Sequence, residues 1–351
     1  MDIKVEFSQL IAEIEADMRS VLDERTGRAR PLYDMLAYHL GLDDGDPGGA
    51  KRIRPLLGLL VLRAMGVDYQ IALPGATAVE LGHNFSLVHD DIEDADRERR
   101  HRPTLWAVWG VPLAINAGDA LFALSRLTLF RLAAHENDPD APDARRVLEL
   151  MRVYDETCLA LCEGQYLDIS YERRTDVTVE EYLDMIGKKT AALIAAGVQA
   201  AAMLASHDVE VVEAFRRFGF DLGLAFQMAD DVKGSFWDSE SSGKTEAGDI
   251  RRRKKTMPVI WALHNAPEAD RSRLRELFTP PDAVEGSPPA PLHDAEVHEA
   301  LAILERSGAR AYALDQARAH RDRALAELDA LPLDPVGKEE LAVFVAAMIS
   351  T

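Results

Sequence analysis

Val209 to Asp231 reads VEVVEAFRRFGFDLGLAFQMADD, and its apolar residues Val209, Val212, Phe215, Phe218 and Leu222 return every three or four positions. At 3.6 residues per turn, that spacing lays them on one face of an α-helix. The stretch then closes on two adjacent carboxylates, Asp230 and Asp231. Outward from it the same rhythm recurs, as in Leu56, Leu59, Leu60, Arg63 and Ala64, while strand-like alternation is nearly absent. The spacing predicts helices over 4–25, 51–66, 72–95, 112–136, 142–171, 179–187, 189–206, 209–233, 256–265, 294–306, 309–331 and 336–349. Turn-rich breaks lie at Asp43 to Gly49, Asn137 to Pro142 and the Pro-rich Thr279 to Pro291. The last of these, 279–291, reads as a linker or a surface loop or insertion. The expected fold is all-α: one domain over 1–351, a large antiparallel helical bundle.

The chain has 351 residues, with 40 Lys plus Arg against 60 Asp plus Glu, for a net charge of −20. An acid excess of that size repels phosphate backbones and anionic lipid, so no nucleic-acid partner is expected. A 47% hydrophobic share excludes a disordered chain. No uninterrupted apolar run approaches membrane-spanning length and the first residues lack a signal-peptide pattern, which predicts a cytoplasmic protein with no integral membrane segment. The two cysteines, Cys158 and Cys162, are four apart with no further ligand at metal spacing, and read as two small buried side chains on one helix face.

A second acidic cluster stands upstream of the first. Leu87-Val88-His89-Asp90-Asp91-Ile92-Glu93-Asp94 also ends an apolar helical run, which puts Asp90 and Asp94 one turn apart with Asp91 beside them. Carboxylates so close repel one another unless a cation compensates them. Two helices ending in such clusters would form a clamp for hard divalent ions, and Mg²⁺ suits it because it needs few carboxylates, retained waters and substrate phosphate oxygens. Basic residues recur next to these clusters and at helix starts: Lys51-Arg52-Ile53-Arg54, then Arg97 to Arg102, Lys188-Lys189, Lys244, and Arg251 to Lys255. Each alone is a solvated charge run, but their repetition suggests a site that grips polyanions with Arg forks and Lys charges.

Taken together these residues resemble the trans-prenyltransferases, the polyprenyl synthetase family of isoprenyl diphosphate synthases, from about residue 48 to 262. Gly49-Ala50-Lys51-Arg52-Ile53-Arg54-Pro55 is similar to the family's GGKRxRP, with Ala50 in place of a Gly. His83 to Asp94, Arg99-Arg100, Gly118-Asp119, Gly164 to Asp168, Lys189-Thr190, Phe226 to Asp231, Gly243-Lys244 and Lys254 to Pro258 match further blocks. The resemblance implies a bundle around a central cavity, a homodimer, and head-to-tail joining of isopentenyl diphosphate to an allylic diphosphate. It implies that Lys51, Arg54, His83 and Arg100 hold isopentenyl diphosphate, and that Asp90, Asp94 and Asp230 hold three Mg²⁺, with Asp91 and Asp231 in the same acidic motifs. Arg99, Lys189, Lys244 and Lys254 would complete the cage, and Thr190 and Gln227 would offer lone pairs to an allylic cation. Phe85 and Ser86, below the first motif, would set product length, and the pattern resembles geranylgeranyl diphosphate makers.

One position departs from the family pattern. The second motif is normally DDxxD, and here it reads Asp230-Asp231-Val232-Lys233-Gly234, with Asp238 retained beyond it. The missing carboxylate is read as an outer-sphere one, which would leave activity with weaker metal affinity. Farnesyl or longer products, a catalytically impaired partner subunit and a terpene cyclase remain as rival readings.

Overall fold

The three-and-four spacing is realised as helix in the computed structural model, which describes residues 2–43, 50–133, 142–236, 247–279 and 290–349. In chain order the helices begin with α1 (Ile3–Glu6), α2 (Ser8–Asp23), α3 (Arg30–Leu40), α4 (Ile53–Ala64) and α5 (Leu73–Glu93). They continue with α6 (Leu105–Trp109), α7 (Val111–Leu129), α8 (Ala144–Tyr171), α9 (Val179–Ile186), α10 (Ala192–Ala205) and α11 (Val209–Phe236). The series closes with α12 (Gly248–Arg251), α13 (Met257–Asn265), α14 (Glu268–Phe278), α15 (Asp294–Arg306), α16 (Ala309–Asp329) and α17 (Pro335–Met348). Among the described residues the only strands are β1 (Glu98–Arg99) and β2 (Arg102–Pro103), an antiparallel pair. The all-α expectation therefore holds. Most of the predicted 279–291 loop lies outside the described residues.

The chain gathers into two compact units, each assembled from separated stretches. The first holds residues 1–158, 195–216 and 330–347, and the second holds 159–194, 217–329 and 348–351. In the first unit α4 is apolar on nearly all sides, with Leu56, Leu57, Leu59, Leu60, Val61 and Leu62 all buried. A helix so uniformly apolar belongs inside a core rather than on a surface. Its entry is fixed by Arg52, whose backbone is left-handed (φ 46°) and whose side chain is sealed inside. That guanidinium donates to Glu80 (2.9 Å), Glu15 (3.0 Å) and the Leu40 carbonyl (2.6 Å). Buried in this way the charge is matched twice over, so Arg52 is an anchor and not a member of the exposed basic set.

In the second unit the backbone approaches are tighter still. Between α9 and α10 the helix does not break as the spacing suggested; it continues through a π-turn at Gly187–Ala191. A Cβ on Gly164 would lie 2.4 Å from the Lys189 amide nitrogen, and one on Gly223 would lie 2.5 Å from Ala191 Cα. Only glycine permits α8 and α11 to pack this closely on the turn, and the turn aims Lys189 and Thr190. Single π-turns of this kind recur at functional sites because they re-aim a few side chains without ending the helix.

The periodicity missed several short elements. Helix α3 is held by Pro31 in its first turn and left-handed Gly41 (φ 66°) after its last, with Met35, Leu36 and Leu40 buried. Helix α14 is polar but for Leu274, Leu277 and Phe278, too few apolar residues to reveal a stripe. The segment Val111–Ala133 is long and apolar enough to cross a membrane by length and composition. It carries Arg126, paired with Asp155 at 2.8 Å, and Arg131, paired with Asp17 at 2.7 Å, and its most extensive packing is against α5. Cys158 is buried, whereas Cys162 is exposed, contrary to expectation.

Candidate active site

Helix α5 ends with Asp94 as its cap, which leaves Asp90 and Asp94 half-buried on the last turn. Asp91 turns inward instead. It is 2% exposed and accepts a hydrogen bond from Arg99 Nε at 2.7 Å. Burial pushes its carboxyl up to about 6, against the pull of Arg99. Among the described residues its Oδ2 has no hydrogen-bond donor. Arg99 is delivered by the β1–β2 hairpin, whose two-residue tip, Arg100 and His101, is left-handed at both positions (φ 53° and 61°). Two left-handed residues define the tight turn that matches strand twist, and few residues other than Gly, Asn and Asp adopt it without strain. The turn presents Arg100 at the surface, while Thr104 Oγ1 and Trp106 Nε1 fix the loop by donating to the Asp96 carbonyl.

Arg54 NH1 donates to His83 Nε2 at 3.0 Å. A guanidinium has no acceptor, so His83 must accept on Nε2 and carry its single proton on Nδ1. Burial, followed by the charge of Arg54, holds this imidazole well below its usual range. His39 is lowered to about 3 by burial and the nearby Arg99 and Arg100. Neutral histidines under a group of arginines leave Arg54, Arg99 and Arg100 as the charge carriers there. Lys51 is exposed at the entry to α4. Phe85 packs edge-on against Phe122 (5.1 Å) and His89 (6.0 Å), and Ser86 Oγ donates to the His83 carbonyl.

The second unit repeats the pattern with different partners. Asp230 is half-buried near the end of α11, and Asp231 is buried. Asp231 accepts from Tyr182 OH (2.6 Å), Gln227 Nε2 (2.9 Å) and the Met257 amide (3.0 Å). Burial raises its carboxyl to about 7 in spite of these three donors. Thr190 Oγ1 donates to Gln227 Oε1 at 2.7 Å, so a chain of hydrogen bonds runs from Thr190 through Gln227 to Asp231. Lys189 Nζ pairs with Asp168. Burial opposes ionisation of Asp168, but Lys189 and then Lys254 outweigh it and hold the carboxyl below its usual value.

The basic run after α12 divides by direction. Arg253 is buried and donates to the carbonyls of Leu277 (2.7 Å) and Ala290 (3.1 Å). Lys255 Nζ donates to three carbonyls, those of Glu172, Arg253 and Phe278. Lys254 alone of the pair acts on the Asp168–Lys189 group. Lys244, Gly243 and Asp238 lie outside the described residues. Sequence reasoning missed Tyr182, which only the fold brings to Asp231, and Arg52, whose inward turn is invisible in a run of basic residues.

Among the described residues no three His, Cys, Asp or Glu side chains converge to hold a metal unaided. The donors on offer are hard oxygens, half-buried at two helix ends, with a donorless Asp91 oxygen behind one of them. That set fits Mg²⁺, which keeps waters and takes phosphate oxygens, and does not fit a metal needing a complete protein cage.

Carboxylate clusters at helix ends beside ranks of Arg and Lys, on an all-α scaffold, are the equipment of a prenyltransferase acting on diphosphates. The chain belongs to the polyprenyl synthetase family, whose model matches residues 39–287. It is 38% identical over 312 residues to a (2E,6E)-farnesyl diphosphate synthase from Mycobacterium bovis, covering 88% of this chain and 82% of the relative. It is 38% identical to a geranylgeranyl diphosphate synthase from Mycobacterium tuberculosis, covering 85% of this chain and 82% of the relative. The crystal structure of a geranylgeranyl pyrophosphate synthetase from Pyrococcus horikoshii superposes with a TM-score of 0.86 at 30% identity, over 99% of this chain and 98% of that one.

Proposed function

We propose that this chain joins isopentenyl diphosphate head-to-tail to an allylic diphosphate, with Mg²⁺, and releases geranylgeranyl diphosphate as its main product. The observation that carries this reading is the split within each aspartate pair. Asp91 and Asp231 are drawn inward by hydrogen bonds, which leaves Asp90, Asp94 and Asp230 at the helix ends to hold Mg²⁺ on the allylic diphosphate. Bound Mg²⁺ would neutralise charge on the departing diphosphate, for which three ions are assigned to those three aspartates. Lys189, Lys254 and Arg99 would add fixed positive charge to the same group, and the resemblance assigns Lys244 to it as well. Lys51, Arg54, His83 and Arg100 would seat isopentenyl diphosphate, with neutral His83 donating from Nδ1.

The allylic cation needs electron-rich neighbours and no bulk water. Thr190 donates its only proton to Gln227, so its lone pairs stay available, and Asp231 fixes the orientation of the pair through Gln227 Nε2. The departing diphosphate can take the proton lost after carbon–carbon bonding, so no protein general base is called for. A terpene cyclase would use the same metal clusters, but it has no use for the Arg54–His83 group. A farnesyl product is the second reading, supported by the 38% identity to a farnesyl diphosphate synthase.

Leu113 and Leu127 of α7, with Phe130 just past its end, are exposed apolar side chains that support the homodimer we propose; the single domain over 1–351 and the cytoplasmic setting are carried over from the sequence reading. Incubating the purified chain with Mg²⁺, labelled isopentenyl diphosphate and each allylic primer tests the whole reading. Chain-extended product is expected, and no product from any primer would overturn it.

A further inference from the structure

Ala95, Arg100 and His101 all hold left-handed backbone (φ 54°, 53° and 61°), and none of them is glycine. Strain of this kind persists only where the surroundings over-determine it, and it gathers at sites that must present a side chain in one way. Within the loop, the Asp96 amide donates to the Asp91 carbonyl and the Thr104 amide to that of Arg97. These bonds close the loop on itself and on α5. The strands of the hairpin need a further hold.

Their pairing sets the problem. Arg99 stands directly opposite Arg102. Directly opposite residues of an antiparallel pair project to one face, and like charges there destabilise the pair unless each finds a partner. Arg99 takes Asp91 of α5. Arg102 goes instead to the end of α3, where its fork donates to both oxygens of Asp43 at 2.9 and 2.8 Å. Its guanidinium carbon lies 4.0 Å from the centre of the Tyr38 ring. The Tyr38 hydroxyl donates to the Pro103 carbonyl at 2.9 Å, and Trp109 of α6 packs edge-on against the same ring at 5.1 Å. Fork, stack and hydroxyl thus grip both residues of β2. A planar guanidinium can make fork and stack together, and an ammonium cannot. His39, the next residue of α3, is kept neutral by burial and by the nearby charges of Arg99 and Arg100, so α3 meets the arginine group twice.

We infer that Tyr38, Asp43 and Arg102 form a clasp that positions the arginine hairpin, fixing Arg100 at its tip for the second diphosphate. They are positioning residues, acting on that substrate through Arg100. The inference rests on the isopentenyl diphosphate reading above, and it gives α3, a helix upstream of every motif block in the sequence, a part in that site. Arg99 has its own tether in Asp91, so the clasp should matter less for the allylic diphosphate.

Steady-state kinetics on the full chain, varying isopentenyl diphosphate at saturating allylic primer, tests this. Arg100→Ala sets the scale, about 10–100-fold in the isopentenyl KM for a lost charged hydrogen bond. Arg102→Met should raise that KM by about tenfold and leave kcat and the allylic KM within about twofold, the split expected when one ground-state contact is misplaced. Arg102→Lys, which keeps the charge and loses the fork, should fall between Arg102→Met and the unaltered chain. With Arg100→Ala already present, Arg102→Met should add almost nothing, because nothing is left to position; a residue that only holds the fold would multiply its effect into the double variant. Circular dichroism checks folding, and if Arg102→Met does not fold, Tyr38→Phe, which loses only the hydroxyl, carries the same cycle. An unchanged isopentenyl KM in folded Arg102→Met, or independent effects in the double variant, overturns the clasp alone. An unchanged isopentenyl KM in Arg100→Ala overturns the reading of that site, and the clasp with it.

Discussion

Asp90-Asp91 and Asp230-Asp231 are the same dipeptide near the end of a long helix, yet the two units hold the inner aspartate by different means. Asp91 has one donor, Arg99, carried on a strained hairpin and itself about one-third exposed, and its second oxygen has no donor among the described residues. Asp231 has three donors from three elements: Tyr182 of α9, Gln227 of α11 and the first amide of α13. One carboxylate is held by a single, partly exposed partner, and the other is built into the packing of its unit. The difference teaches that a shared motif does not imply a shared mechanical role. The first cluster has fewer ties to its unit, whereas the second fixes the geometry of Thr190 and Gln227.

The largest expected effect concerns the outer aspartates, which this comparison treats as chemically alike. Asp90→Ala should lower kcat by about 10²–10³, the scale of losing one electrostatic stabiliser of a developing charge. Steady-state turnover at saturating substrates measures it. Near wild-type kcat would remove the metal-holding assignment from the first cluster and leave the second alone to carry it.

The inner aspartates should separate the two clusters by stability. Asp231→Ala strands a buried hydroxyl, an amide and a backbone N–H, and the general cost of a buried unsatisfied group is about 1–3 kcal/mol. Asp91→Ala frees Arg99, which can turn to water, so its cost should stay below about 1 kcal/mol. Urea unfolding of both variants compares them directly. Equal losses would erase the distinction drawn between a partly exposed and a built-in partner.

Much of this was legible in the sequence, and the limits have physical causes. Long helices declared themselves because burial on one face imposes the three-and-four rhythm, as in α11. The β1–β2 hairpin did not, since Glu98 to Pro103 contains no apolar alternation and its turn residues, Arg100 and His101, are not those that normally mark such a turn. The outer aspartates and Arg54 stood out because like-charged or basic residues in one short run ask for a partner, whereas His83 was indicated by the family resemblance alone. Tyr182 and the inward turn of Arg52 could not be found, because each acquires its role only from a residue distant in sequence. Gly234 was legible as a departure from the family pattern.

Arg54 extends the comparison from carboxylates to cations. It lies in the first unit beside His83, whereas the second unit's Lys189 is paired with Asp168. If Arg54 holds isopentenyl diphosphate equally in ground and transition states, Arg54→Ala should raise that substrate's KM by roughly tenfold to a hundredfold, at about 1.5–3 kcal/mol for a charged hydrogen bond. Its kcat and the allylic KM should change little. An effect confined to the allylic KM would exchange the two diphosphate sites.

The smallest effect should come from what lies beneath each cluster. Below Asp230, Gly223 packs directly against the Ala191 backbone. Below Asp90 the same face of α5 continues through Ser86 to Val79 and Ala76, and these last two, with Ala72 just before the helix, line an apolar cavity within the first unit. Phe85 stands about 140° around the helix from Asp90, with its ring against Phe122, and the proposed length limit requires it to narrow this path. A rigid ring in a close-packed wall penalises each added isoprene unit by overpacking, about 1–3 kcal/mol, and 1.4 kcal/mol already changes a product ratio about tenfold. Phe85→Ala should therefore lengthen the products while leaving the first condensation intact, and Ser86→Phe, which places a ring on the path itself, should shorten them. Chromatography of the dephosphorylated alcohols reads both. An unchanged distribution in Phe85→Ala would return Phe85 to the core beside Phe122, and a change in Ser86→Phe alone would place the length limit on the Asp90 face.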